Sequence, residues 1–216
     1  MSEMASFRDA AILWAAAGDG ADEAEVVVRS LAGRVRTVVL VEGRSDAAAL
    51  EVLAARTGRD FEAERIAVIP IGGATAVRRF LDPFGPSGLD LRLAGLVDAA
   101  EVRFFRQAIQ DDRHPELTRS EMEQLGFFAC DPDLEHELVR AVGTERTLAI
   151  IDELGQAKAL NTFRNQPAQR ERPLEAQLFR FMATMSGRKS LYATALANAV
   201  DVDRIPRPLK ELLRFL

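Results

Sequence analysis

Apolar residues follow two alternating rhythms along this chain. Short continuous apolar runs occur at 37–41, 66–71, 91–97 and 127–130, each bounded by turn residues or carboxylates. Runs of this length without polar alternation predict strands buried on both faces. Between them, helical spacing predicts helices over 46–56, 75–84 and 101–110, with Thr118 capping a short fourth before Gly126. Strands alternating with helices predict an α/β fold, a mostly parallel sheet of about four strands flanked by helices.

The flanks read differently. Residues 7–17 and 21–32 carry helical patterns split by Gly18-Asp19-Gly20, and they are expected to pack on the outside of the sheet domain. From Asp133 onward strand signals stop, and helices are predicted over 133–142, 145–154, 174–185 and 189–199, with a proline-bearing loop over 165–173. The chain thus divides into a helical segment (1–35), an α/β domain (36–132) and a helical C-terminal region (133–216).

Composition narrows the chemistry. With 48% hydrophobic and 28% charged residues among 216, the chain can bury a full core. Two histidines and one cysteine are too few for a structural zinc site or a disulfide framework, and they restrict histidine catalysis to His114 or His136. No apolar run reaches the roughly 18 residues of a membrane span, and the acidic N-terminus lacks the basic flank of a secretory signal. A reduced, cytoplasmic location without membrane contact is expected.

The net charge of −5 taken alone argues against a nucleic-acid binder, but it is unevenly spread. Residues 156–216 hold 11 basic and 5 acidic residues, a balance of +6, and the remainder holds 17 and 28, a balance of −11. A cation site beside a polyanion site would look like this, and so would two ordinary solvated surfaces.

In parallel sheets ligands bind at the carboxyl ends of strands, so the residues following each run carry the functional question. The first run ends in Val41-Glu42-Gly43-Arg44-Ser45-Asp46, where Glu42 and Asp46 can converge on one cavity mouth and Ser45 can cap the next helix. Asp46 equally suits a helix N-terminus by charge alone. The second run leads into Gly72-Gly73, which allows close approach to a phosphate or a tight turn. The third ends in Asp98-Ala99-Ala100-Glu101; Asp98 and Glu101 are candidate ligands for a hard cation such as Mg²⁺, or a capping box. After the fourth come Asp133, a good helix cap, and Glu135 and His136; Cys130 reads as a buried small residue. No GxxxxGK[ST] occurs, so no nucleotide cofactor is expected on this chain.

Taken in order, Val-Val-Leu-Val-Glu42-Gly-Arg-Ser-Asp46, Ile-Pro-Ile-Gly-Gly73 and Gly-Leu-Val-Asp98 resemble a Toprim domain, the α/β module of topoisomerases, bacterial primases and recombination proteins. The later Phe-Phe-Ala-Cys-Asp-Pro-Asp-Leu-Glu135 and Ser186-Gly-Arg-Lys189 resemble the OLD-family nuclease version. The likeness is good over about 36–133 and loose beyond.

The resemblance implies a Rossmann-like sheet and a divalent-metal-dependent phosphodiester hydrolase acting on DNA. Mg²⁺ or Mn²⁺ would sit on Glu42, Asp46, Asp98 and Glu135, with Glu101 a candidate substitute ligand. Glu42, Asp98 and Lys189 would be catalytic, Lys189 and Arg188 meeting the phosphate. Arg164, Arg170, Arg172 and Arg180 of the basic tail would hold the strand, beside Gly72 and Gly73. Two departures stand out: Ala100 replaces the second aspartate of the family's Asp-x-Asp pair, and no ATPase domain precedes the module. The first leaves open a degenerate module that binds nucleic acid or a partner without turnover. The second predicts a stand-alone protein or one working with a separate ATPase subunit, and a homodimer is a further expected assembly. Strand passage ranks last, since Tyr192, the sole tyrosine, lies outside any recognisable cleavage domain.

Overall fold

Four apolar runs form the strands, and the computed structural model, which describes residues 2–110, 117–184 and 188–216, joins them into one sheet. They are Thr37–Val41 (β1), Ile66–Pro70 (β2), Arg92–Asp98 (β3) and Phe127–Cys130 (β4). All pairings are parallel, in the order β2-β1-β3-β4. Val41 pairs with Pro70 and Leu96, and Asp98 with Cys130, so the four carboxyl ends lie along one edge.

In chain order the helices are Glu3–Ala16 (α1), Ala21–Ala32 (α2), Arg44–Arg56 (α3), Arg78–Phe84 (α4), Val102–Ile109 (α5), Arg119–Gln124 (α6), Leu134–Val142 (α7), Thr144–Glu153 (α8), Ala157–Arg164 (α9), Leu174–Thr184 (α10), Lys189–Ala199 (α11) and Arg207–Phe215 (α12). They cover both faces. Val38 and Leu40 of β1 pack with Phe7, Val28, Phe84 and Phe105 of α1, α2, α4 and α5. Their neighbours Val39 and Val41 pack on the other face with Leu50, Leu138, Leu196 and Leu209 of α3, α7, α11 and α12. Each buried leucine contributes about 1.5–3 kcal/mol. Both clusters cross the sequence boundaries at 36 and 133, so the flanking helices complete the core of the sheet.

Arginines fasten the C-terminal helices. Arg56, at the end of α3, donates to Ala197 O at 2.7 Å and to the carbonyl of Val200, closing the C-terminus of α11. The two helices therefore run side by side in the same direction. Arg59 donates to the carbonyl of Leu213, and Arg92 donates to Phe215 O at 2.6 Å while lying 4.2 Å over the Phe215 ring. Each satisfies carbonyls that a helix end leaves open, with positive charge at the favourable pole.

Some expectations change. The stretch 75–84 is a one-turn 3₁₀ segment, Ala74–Ala76, followed by α4, and 101–110 likewise splits into Ala99–Glu101 and α5. Helices α9 and α12 had no counterpart in the sequence reading. In α12 the prolines at 206 and 208 disguise a helix start, where proline is tolerated because the first N–H groups are unpaired anyway. Among the described residues no helix is long and apolar enough to cross a membrane.

Candidate active site

The carboxyl edge of the sheet gathers the strand-tip acids. Gly43, in extended backbone, ends β1 and caps α3, which starts at Arg44. Ser45 is thus already inside the helix and does not cap it; the carboxylate of Asp46 does, accepting from Gly43 N at 2.7 Å. Asp46 is only 9% exposed. Glu42 reaches across to β3, its Oε1 accepting from Asp98 N at 2.8 Å. The Glu42 carbonyl accepts from Gly72 N and Gly73 N at 3.0 and 3.1 Å. Both glycines have positive φ, 76° and 115°, so the Gly-Gly pair is the tight turn rather than a phosphate cradle: its two N–H groups are already bonded.

At the β3 tip the capping box between Asp98 and Glu101 does not form, since neither helical segment beyond it receives a side-chain cap. The Asp98 side chain is thereby left for the cavity. Ala99 N donates to Pro132 O at 2.9 Å, which ties this tip to the loop after β4. There Asp133 caps α7, accepting from His136 N at 2.8 Å, and its Oδ1 lies 2.6 Å from the His136 ring Nδ1. That ring stacks on Phe179 with centroids 3.5 Å apart. Cys130 is fully buried and burial pushes its thiol pKa up, which suits an inert core residue. His114 lies outside the described residues.

A cavity of about 350 Å³ opens over this edge, lined by Glu42, Gly43, Arg44, Ser45, Asp46, Gly73, Asp98, Glu135, Lys189 and Ser190. A second, of about 330 Å³, shares Glu135 and Lys189 and adds Asp133, His136, Arg172, Phe179 and Arg180. The sequence therefore named residues far apart in the chain that meet here: Glu42, Asp46, Asp98, Glu135 and Lys189 in one cavity, Arg172 and Arg180 in the next. Others are placed elsewhere. Arg164 donates to Gln177 Oε1 at 2.8 Å, Arg170 to Asn165 O at 2.8 Å, and Arg188 to the side chain of Gln156; none of the three lines either cavity. Glu101 acts on Glu42 by charge but lines neither.

The electrostatics are those of crowded anions. Burial, followed by repulsion from Glu42, Asp46, Asp133 and Glu135, pushes the pKa of Asp98 up to about 8. Burial and Glu135 raise Asp46 to about 7 against the opposing Gly43 hydrogen bond. Glu42 is also raised, by burial first, with the Asp98 N–H pulling the other way. Among the described residues no three His, Cys, Asp or Glu side chains stand close enough to cage an ion as they are. The donor chemistry nevertheless fits a hard divalent cation: every acidic lining group is a carboxylate, and positive charge between them would relieve the repulsion.

Sequence reading missed Arg44, Ser45 and Ser190, which line the cavity through the paired helix starts of α3 and α11. It also passed over Arg103, Arg106 and Arg119, which meet in a third cavity of about 310 Å³ beyond the β3 tip, with Ala99 and Ala100. The only available signal was two arginines spaced i, i+3 on the helix directly after an acidic strand tip.

Residues 35–99 match the family described as overcoming lysogenization defect (OLD) protein-like, Toprim domain. No curated protein matches the chain. Among solved structures, the C-terminal region of the Xanthomonas campestris pv. campestris OLD protein superposes with a TM-score of 0.66 at 25% identity, covering 83% of this chain and 91% of that one. A further structure of the same region gives 0.62 at 27% identity, covering 83% and 93%. The C-terminal region of the Burkholderia pseudomallei OLD protein has the same fold, with a TM-score of 0.62 at 20% identity over 84% of this chain and 96% of that one.

Proposed function

We propose that this chain, which carries an OLD-like Toprim domain, hydrolyses phosphodiester bonds of DNA with a divalent cation, Mg²⁺ or Mn²⁺. The observation that carries the reading is the convergence of Glu42, Asp46, Asp98 and Glu135 on one cavity with Lys189 at its rim. So many buried acids disfavour one another, as the raised pKa values of Asp46 and Asp98 record. A core gains nothing from such a cluster, whereas a cation site does.

Glu42 and Asp98 would hold the ion, with Glu135 and Asp46 completing the negative field. When bound, the ion supplies Lewis-acid neutralisation of charge at the phosphate. The rest is protein. The bond from Asp98 N to Glu42 fixes the β1 and β3 tips against each other, so the two carboxylates are held in place before substrate arrives. Lys189 is exposed at the start of α11 and can donate to a non-bridging phosphate oxygen as negative charge develops there. Arg172 and Arg180 continue the positive wall into the adjoining cavity, where a strand leaving the site would run.

Supercoiled plasmid incubated with the purified chain is expected to be nicked or linearised in Mg²⁺ or Mn²⁺ and left intact in EDTA. Absence of cleavage in either ion overturns the reading. Ala100 favours one second reading, a Toprim module that binds DNA without turnover. Calorimetry separates the two: Mn²⁺ binding that is lost in Asp98→Asn contradicts the non-catalytic module, and salt-sensitive DNA binding indifferent to metal supports it.

A further inference from the structure

The third cavity has the opposite character from the acidic one, although Ala99 and Ala100, which line it, directly follow Asp98 in the chain. Its other walls are Arg103 and Arg106 of α5 and Arg119 of α6, over a floor of Met122 and Phe127. Arg119 is fixed in position: its Nη2 donates to Ala129 O at 2.9 Å and its Nε to Glu123 Oε1 at 3.3 Å. Arg103 lies 4.6 Å over the ring of Phe104, and both Arg103 and Arg106 are exposed. Among the described residues neither forms an ion pair and no carboxylate lines the cavity.

Three guanidiniums around one space repel each other, and most other arginines in this fold are bonded to carbonyls or carboxylates. A guanidinium fork matches phosphate oxygens, and the apolar floor suits a base or sugar. At about 310 Å³ the space is near the lower end for a small-ligand site, the size of one nucleotide. Resting on the reading of the acidic cavity as the hydrolytic site, we propose that this pocket holds a nucleotide of the same DNA strand, flanking the phosphodiester to be cut. Its phosphate meets Arg103, Arg106 and Arg119, and its base or sugar lies on Met122 and Phe127. Ala100 then gains a reason: a carboxylate at that position would stand among the arginines and compete with the phosphate.

The test uses the full chain in EDTA, where no cutting intervenes, and a fluorescein-labelled 12-nucleotide single strand read by anisotropy. The Arg103→Ala/Arg106→Ala double variant is expected to bind about tenfold more weakly, with a slope of log K against log salt shallower by about 1.4, since each lost phosphate contact on a single strand is worth about 0.7. The double lysine variant keeps charge but loses the fork and is expected to recover part of the affinity. Both positions are exposed, so an unchanged melting temperature serves as the folding control. Glu42→Gln is expected to bind the strand like the wild type, which keeps this result independent of cleavage. Unchanged affinity and slope in the double variant overturn the pocket even if the plasmid is cut. A drop in both supports it even if the plasmid is not. Ala100→Asp is expected to weaken strand binding about threefold, as part of one phosphate contact is lost; tighter Mn²⁺ binding instead would place position 100 with the carboxylates and overturn the assignment.

Discussion

Asp98→Asn is expected to slow DNA cleavage by about a thousandfold, roughly 4 kcal/mol of transition-state stabilisation, while making the metal-free protein more stable. The two effects have one origin. Asp98 stands half-buried at a strand tip among four other carboxylates, and its pKa is pushed up to about 8. A carboxyl whose folded pKa is raised above the ordinary 3.8 stabilises the fold fully below that pH, and the contribution is lost as pH rises towards about 8. Asp46, raised to about 7, adds to the loss in the same window. In EDTA the melting temperature should therefore fall between pH 5.5 and 8.5, and Asp98→Asn should flatten the fall and gain about 3 °C at pH 8. Millimolar Mn²⁺ should remove most of the wild-type decline and leave the variant's melting curve unmoved. Calorimetric scans across pH, with and without Mn²⁺, check the stability half, and plasmid cleavage checks the rate. A variant that loses cleavage and stability together would mean that Asp98 is a structural residue. Glu42→Gln is expected to lose cleavage comparably, but without the gain in stability, because Glu42 also bridges to Asp98 N.

The strand tips were readable because a carboxylate directly after a buried run has few structural uses. Glu42 and Asp98 follow β1 and end β3, and the parallel register alone brings their ends together. The boundaries of β1, β4, α2 and α11 also follow from where apolar runs meet glycine, aspartate or lysine. Local patterns failed where two uses of one residue compete. Ser45 and Asp46 are both good caps, and the choice between them depended on α3 beginning one residue earlier, at Arg44. Gly72 and Gly73 looked equally like a turn and a cradle, and only the position of the Glu42 carbonyl decides. Long-range partnerships carried no local signal. Glu135 and Lys189 were nominated by family likeness, and the parallel packing of α3 and α11 is what puts them opposite Asp46. The arginines at 103, 106 and 119 read in sequence as ordinary solvated charges, because their shared cavity is made by two helices on either side of residues 111–116.

Gly95→Val is expected to abolish soluble expression or lower the melting temperature by more than about 10 °C, which corresponds to several kcal/mol in a chain of this size. Gly95 pairs with Leu40 on one side and Phe127 on the other, in the middle of the sheet. A Cβ there would stand 2.8 Å from the Phe127 ring and 2.9 Å from Leu40 O. The backbone oxygen cannot yield without breaking the β1–β3 register. The ring cannot yield freely either, since it packs 6.0 Å from the ring of Phe105 beneath α5. Overpacking of this kind typically costs about 1–3 kcal/mol for a single methylene, and valine adds two further carbons. Gly95→Ala should therefore fold with a clearly lower melting temperature, and the paired Gly95→Ala/Phe127→Leu variant should regain part of the loss by vacating the ring's space. The consequence reaches the active site, because Gly95 lies three residues before Asp98 on the same strand. Any shift of β3 against β1 moves Asp98 N relative to the Glu42 carboxylate that it holds at 2.8 Å. The alanine variant should accordingly lose cleavage by a larger factor than its folded fraction accounts for, and the Phe127→Leu partner should restore both. An alanine variant with wild-type melting temperature would show that the sheet tolerates the Cβ and that glycine at this position is unrelated to packing.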